Sequence, residues 1–408
     1  MAAPFSQFGI ELETMIVDRS SLNPRPIADR ILFDNESTVV NSVRKGPITW
    51  SNELVMHVIE FKTSTPVRQF DGLVSDFHTS MLEADRLLEA HGAGLLGTAT
   101  HPWFDPSSGV SLWLHDDREI YETFDRIFGC KGHGWSNLQS FHINLPFDVG
   151  NDDAFRRLHS AIRLALPLVP VLAASSPIMD GKVSPFLDAR LEAYAANCIR
   201  VPSITGGLIP DVYESQDAYA EKVYRLIAHD LEELDPEGIL EPEWTNARGA
   251  IARFDRGSIE IRVGDVQECP RQDLAIIRFL IHLIQDWYSE KRVSLADQEA
   301  VPTSALKAFF KAAVKQGRSA PVTDANLLRV YGVKEPETAG AVLKAMLPSN
   351  EEWTADIRHI LTDGNLAERI LHAVGPQPAH QDLERVFRQL RSCLLENRAF
   401  VYAADHQL

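Results

Sequence analysis

The sequence predicts an α+β protein built on an antiparallel sheet, with helices outside it and a helical C-terminal region. Three observations carry this. Period-two alternation marks strands at residues 8–17, 55–62, 138–145 and 258–263. Strands and helices follow one another without a steady βαβ alternation, which argues against a doubly wound parallel sheet. Beyond Pro270 the pattern turns helical, first over an almost wholly apolar stretch at 274–287, then at 305–314, 356–361 and 382–396. Residues 1–290 therefore read as one site-bearing core, and 291–408 as a helical extension packed on it.

In the first strand Phe8, Ile10, Leu12 and Ile16 alternate with Gly9, Glu11, Glu13 and Val17, so both glutamates share a face. The second strand sets Val55, Ile59 and Phe61 against Glu60 and Lys62. Residues 70–91 form an amphipathic helix with a stripe of Phe70, Leu73, Val74, Phe77, Met81 and Leu88, ended by Gly92. A short strand at 95–100, a helix at 116–128 and a loop with three glycines at 129–134 come next. In the strand 138–145, Phe141, Ile143 and Leu145 point one way and Ser140, His142 and Asn144 the other. A helix at 152–169 leads to a turn at Ser175, Ser176 and Pro177, and the strand 258–263 puts Glu260 and Arg262 on one face.

Composition excludes several classes. With 40 Lys and Arg against 57 Asp and Glu, the net charge is −17, so a chain that coats nucleic acid or an anionic membrane is not expected. At 45% hydrophobic and 24% charged residues the chain is an ordinary globular one. Its four cysteines (Cys130, Cys198, Cys269, Cys393) have neither zinc-site nor disulfide-framework spacing and suit a reducing compartment. The opening seven residues carry no signal-peptide pattern, and the longest apolar run, 164–174, is short for a membrane span and contains Pro167 and Pro170. A cytoplasmic protein is expected.

The informative feature is a repeated oddity: charged residues on the inner face of strands that otherwise read as buried. Glu11, Glu13, Glu60, His142 and Glu260 all have it. Carboxylates are seldom buried without a cation, and this oxygen-rich set suits Mg²⁺ or Mn²⁺ better than zinc. Taken singly, Glu11 with Glu13 is an ordinary solvated strand face, and His142 an ordinary core histidine; only their coincidence argues for a site. Arg253, Arg256 and Arg262 fall within ten residues that also hold Glu260, with Asp265 three residues further on, a set able to grip phosphate. No Walker A loop, G-x-G-x-x-G fingerprint or G-x-S-x-G elbow is present, so ATP, if used, is held by side chains and metals on a sheet.

Five segments together resemble the glutamate–cysteine ligase family and its carboxylate–amine ligase relatives. FGIELE resembles the family's first metal-binding strand, with Glu11 and Glu13. ELVMHVIEFKTSTP is similar to its second acidic element, with Glu53 and Glu60 seven apart. LQSFHIN resembles the strand with the metal-binding histidine, here His142, although some relatives carry a second histidine where this chain has Ser140. LAASSPIMDGKVSPFLDAR resembles the serine–proline turn and substrate-binding arginine, here Ser175, Ser176 and Arg190. RFDRGSIEIRVGDVQECP resembles the closing strand, with Glu260 for metal and Arg262 for phosphate. The likeness fades after residue 287, and the tryptophan- and arginine-rich motif of many relatives is not evident.

The resemblance implies an antiparallel saddle like that of glutamine synthetase and the guanido kinases. It also implies an ATP-dependent ligase: Mg²⁺ (or Mn²⁺) on Glu11, Glu13, Glu53, Glu60, His142 and Glu260; ATP met by Arg253, Arg256 and Arg262; glutamate held by Arg190, Ser175 and Ser176. Glu60, Glu260 and Arg262 would carry the chemistry. Glutamate plus cysteine, giving γ-glutamylcysteine through an acyl phosphate, is the first expectation. The alternatives are another amine acceptor, a phosphagen-type kinase and a non-catalytic relative. The partners expected are small molecules, with no nucleic acid or membrane, and the oligomeric state is open.

Overall fold

Strand β1 (Gly9–Asp18) lies at the middle of an eight-stranded sheet in which every pairing is antiparallel. The computed structural model describes residues 4–349, 351 and 353–402. In chain order the strands are β2 (Ser42–Lys45), β3 (Ile48–Asn52), β4 (Val58–Thr63), β5 (Ala93–Leu96) and β6 (Ser140–Pro146). A separate two-stranded hairpin, β7 (Ile178–Met179) and β8 (Lys182–Val183), precedes β9 (Ala250–Arg253) and β10 (Ser258–Asp265). Across the main sheet the order is β2-β3-β4-β1-β6-β10-β9, with β5 paired to the far end of β1.

The register explains how residues distant in sequence meet. Glu11 stands opposite Lys62 on one side and His142 on the other. Glu13 is opposite Glu60, Glu60 opposite Ser51, and Glu260 opposite Asn144. Because alternate side chains share a face, these residues form one polar surface. A bulge in β10 between Ile261 and Gly264 re-aims Arg262, and the Phe141 ring leaves no room for a Cβ at Gly264.

The opposite face is the core. Ile10, Leu12, Ile16, Ile59, Phe61, Ile143 and Ile261 are buried. Helices Leu73–Glu89, Asp152–Ala165 and Pro270–Tyr288 belong to the same packed cluster, and each fully buried aliphatic side chain contributes about 1.5–3 kcal/mol. Leu306, Phe310, Ile360 and Leu394 of the helical tail join it. Three of the tail helices answer the expected stretches: Thr303–Gln316 and Thr354–Asp363 extend them at both ends, and His380–Glu396 at its start only. No helix among the described residues is long and apolar enough to cross a membrane.

The α+β architecture with an antiparallel sheet is as expected, and the departures have local causes. The hairpin β2–β3 is absent from the sequence reading; it turns at Gly46, whose φ of 69° is left-handed, followed by Pro47. The second strand starts at Val58 rather than 55, because Val55 makes only an isolated bridge to Leu112 and the buried His57 bonds the Ser136 carbonyl at 2.7 Å. The strand expected at 95–100 is β5, ending at Leu96; beyond it His101 N–H donates to Asn137 Oδ1 at 2.7 Å. The helix expected to reach 169 ends at Ala165, and Pro167 and Pro170 sit in the first turns of two short successors, where a proline costs no hydrogen bond.

Candidate active site

Glu11 and His142 form the centre. His142 Nδ1 donates to Glu11 Oε2 at 3.0 Å, and Asn144 Nδ2 holds the other oxygen at 2.9 Å. His142 Nε2 lies 3.0 Å from Ser140 Oγ, which also donates to Glu13 Oε2 at 3.0 Å, and the Ser140 backbone N–H reaches the same oxygen at 2.6 Å. Ser140 thus pins Glu13 and one nitrogen of His142 together.

The two flanks are compensated by different cations. On β4, Glu60 Oε2 accepts from Lys62 Nζ and Ser51 Oγ, both at 2.6 Å. On β10, Glu260 Oε2 accepts from Arg253 Nε at 2.8 Å, and Arg262 lies 3.0 Å from Oε1. Each flanking carboxylate thus has a cation of its own.

These pairings set the ionisation. Burial raises the Glu11 carboxyl, but the hydrogen bond and charge of His142 outweigh it and hold Glu11 below the usual carboxylate range. Burial opposes Glu260 likewise, and Arg262 and Arg253 bring it down to about 2. Glu60 is pushed up to about 7, by burial first and the charge of Glu11 second, against the pull of Lys62. Burial, then Glu13 and Glu60, drive Glu53 well above the ordinary value. Burial disfavours a charged His142, yet Glu11 and Glu13 prevail and raise it.

One ligand atom from each of Glu11, Glu60 and His142 lies within 4.8 Å of the others, and the buried Glu260 Oε1, beyond its ion pair with Arg262, makes no hydrogen bond among the described residues. This donor set fits an oxygen-preferring divalent ion. Glu13 and Glu260 border the triad. Glu53 follows the end of β3, outside the triad, and among the described residues neither a hydrogen bond nor an ion pair holds its carboxylate.

Two chambers meet at this surface. The larger, of about 650 Å³, runs from Glu11, Glu60, Lys62 and Glu260 to Arg253, Arg256, Ile239, Leu240 and Trp244. Trp244 lies in the short helix Pro242–Thr245, and the guanidinium carbons of Arg253 and Arg256 are 4.8 and 4.7 Å from its ring centroid. The smaller chamber, of 220 Å³, is walled by Tyr121, Phe124, Trp135, Leu138 and Tyr194 and bounded by Glu13, Glu53, His142, Arg190 and Arg262. Tyr121 and Phe124, from the helix Arg118–Phe128, border both.

Arg190 is 1% exposed and its Nε–H is bound by Asp265 Oδ1, while its Nη2 makes no hydrogen bond among the described residues. A buried guanidinium with an unused donor, beside a chamber, is suited to a ligand carboxylate. Ser175 and Ser176, expected to touch substrate, line neither of these two chambers. Ser175 N–H donates to Asp265 Oδ2 at 2.9 Å and its hydroxyl to the Val266 carbonyl at 2.8 Å. Ser176 Oγ donates to Asp265 Oδ2 at 2.8 Å and accepts from the Arg190 N–H at 3.1 Å. They support Asp265, which aims Arg190.

Comparison with known proteins fits this geometry. The profile described as glutamate-cysteine ligase family 2 (GCS2) matches residues 7–389. The chain belongs to glutamate-cysteine ligase family 2. It is therefore an enzyme of the ATP-dependent ligase class. Within the family's range it is 33% identical over 401 residues to an uncharacterized protein of Archaeoglobus fulgidus, spanning 96% of this chain and all of that one. It is 25% identical over 341 residues to a putative glutamate–cysteine ligase 2-3 of Paenarthrobacter aurescens, covering 83% of this chain and 71% of the other. Among solved structures it shares a fold with a bifunctional glutathione synthetase of Pasteurella multocida, at 14% identity and TM-score 0.63, covering 95% of this chain but 53% of that one, so it spans about half that enzyme's length. A glutamate–cysteine ligase of Francisella tularensis in complex with AMP gives TM-score 0.57 at 13% identity, over 95% of this chain and 89% of the other.

Within this family member, the residues that sequence reasoning missed are Lys62, Ser51 and Trp244. Lys62 could have been found, since period two puts it beside Glu60 on the same face. Ser51 and Trp244 lie in elements without a sequence pattern, and only the fold brings them to the site.

Proposed function

We propose that this ligase joins the γ-carboxylate of glutamate to an amine, most concretely that of cysteine, to give γ-glutamylcysteine. The observation that carries the reading is the pair of chambers meeting at the acidic surface, one large with arginines for a triphosphate, one small with the unused Arg190 donor for a carboxylate. The names of the relatives support the choice of glutamate and cysteine.

The large chamber holds ATP with its phosphates toward Arg253, Arg256 and Arg262. Arg190 holds the α-carboxylate of glutamate, which directs the γ-carboxylate to the boundary between the chambers. One γ-carboxylate oxygen attacks the γ-phosphorus of ATP, the bond to the ADP oxygen breaks, and an acyl phosphate forms. The amine then attacks the acyl carbon, loses a proton, and expels inorganic phosphate. Arg262, fixed by Glu260, meets the charge that develops on the transferred group. Mg²⁺ (or Mn²⁺), held by Glu11, Glu13, Glu53, Glu60, His142 and Glu260, would neutralise phosphate charge. The aromatic walls around Tyr121, Trp135 and Tyr194 keep water from the activated acyl group.

The test is a product screen with ATP, Mg²⁺, glutamate and a panel of amines, read by mass spectrometry. A γ-glutamyl amide with ADP is expected. ADP formed with no acceptor present and a phosphorylated substrate would replace this reading with a kinase.

A further inference from the structure

Lys62 is a cation of the acidic surface to which the ligase reading gives no task. It lies on β4 two residues from Glu60, on the same face, and its register partner is Glu11. Its Nζ is 2.6 Å from Glu60 Oε2, an oxygen that the Ser51 hydroxyl also holds at 2.6 Å. The side chain is 36% exposed, in contrast to the buried Arg253 on the other flank. It lines the large chamber and also a neighbouring one of 220 Å³, as Arg256 does. Lys62 and Arg262 thus stand on opposite sides of the Glu11–His142 centre, on strands separated by β1 and β6.

This placement is more than compensation for Glu60 requires. Ser51 already supplies that carboxylate with a neutral donor, and a buried arginine like the one beside Glu260 would give a tighter pair. A lysine has a compact ammonium on a flexible stem and three rotatable donors, and it binds phosphate as a point charge. Here that ammonium borders the chamber assigned to the triphosphate.

We infer that Lys62 is a phosphate-binding residue of this enzyme, donating from Nζ to the terminal phosphate of ATP from the side opposite Arg262. The inference rests on the ligase reading of the large chamber, and its test separates the two. Lys62→Met and Lys62→Arg are compared with the wild type by titration calorimetry, using the magnesium complex of a β,γ-imido ATP analogue, AMP, and Mn²⁺ alone. Loss of one charge-assisted contact should weaken the triphosphate analogue roughly 10- to 100-fold in Lys62→Met. Lys62→Arg should recover much of the loss, AMP affinity should stay within about twofold, and Mn²⁺ should bind at least as tightly, because a competing cation is gone.

Unchanged analogue affinity in Lys62→Met would overturn the inference while leaving the ligase reading intact. An equal loss for AMP, or loss of Mn²⁺ binding, would also overturn it, since Lys62 would then be maintaining the site's shape. A wild type that binds neither nucleotide would overturn the ligase reading and this inference with it.

Discussion

Arg253 Nε donates to Glu260 Oε2 across 2.8 Å, tying the edge strand β9 to the charged face of β10. Among the described residues no comparable arginine pair holds Glu60 on the other flank, where Lys62 and Ser51 are the partners. The two carboxylates therefore differ in charge at neutral pH, with Glu260 at about 2 and Glu60 at about 7.

Their neutral variants should part company in stability. Glu260→Gln leaves Arg253 and Arg262 with an uncompensated buried charge, a loss of about 3–5 kcal/mol. Glu60→Gln removes a carboxylate that burial already drives toward its neutral form, so the metal-free protein should keep or gain stability at pH 8. Both should abolish ADP formation. Chemical denaturation beside a coupled ADP assay checks this, and wild-type turnover in either variant at saturating Mg²⁺ would remove that residue from the site.

The stability that Glu60 contributes to the metal-free protein should fall as pH rises from about 4.5 to 7, while the buried His57, His101 and His159, lowered by burial, act in the opposite direction. The folded value of Glu60, about 7, lies above the ordinary 4.5, so the folded state binds that proton more tightly. Its contribution is complete below about pH 4.5 and is lost as pH climbs through 7, at about 1.4 kcal/mol per pH unit crossed. Glu53 and His142 are raised too and act in the same direction. Glu11 and Glu260 are lowered, and their contributions are lost in acid, below that window. Thermal melts in chelator between pH 5 and 8 should show the wild type losing stability relative to Glu60→Gln as pH rises; parallel profiles for the two proteins would contradict the assignment.

Much of this was legible in the sequence because β-strands expose their logic at short range. Alternation alone put Glu11 with Glu13, His142 with Ser140 and Asn144, and Glu260 with Arg262, and the structure keeps each set on one face. What alternation cannot give is the partner across the sheet. The Glu13 and Glu60 pairing spans 47 positions and the one between Glu260 and Asn144 spans 116; both depend on strand order. The hydrogen bonds of Ser175 and Ser176 were hidden for the same reason, since nothing local tells that Asp265, some ninety residues later, collects an amide and a hydroxyl from them and binds Arg190.

Arg190→Ala should raise the KM for the carboxylate substrate far more than that for ATP. Losing a bidentate partner to a buried carboxylate costs roughly 2–5 kcal/mol, or about 30- to 5,000-fold. Asp265→Asn should move the same parameter in the same direction by less, because Arg190 remains but its fork is no longer fixed. Steady-state kinetics varying each substrate in turn decides this. Equal effects on both substrates would make Arg190 a structural residue.

The final expectation concerns where an oxygen atom goes. A carboxylate at neutral pH is a poor electrophile, and an amine cannot expel oxide from it. Phosphorylation converts that oxygen into part of a leaving phosphate, so the amide carbonyl keeps one γ-carboxylate oxygen and inorganic phosphate takes the other. With glutamate labelled by ¹⁸O at the γ-carboxylate, the released phosphate should carry one label per amide formed, and the nucleotide product should be ADP without label. Adenylation would instead put the label into AMP and release pyrophosphate. The proposed placement of substrates favours the first route: Arg262, 3.0 Å from Glu260, stands at the border shared by the two chambers, where the terminal phosphoryl group would meet the carboxylate. Labelled AMP would overturn the acyl-phosphate route and the placement of ATP's phosphates in the large chamber together.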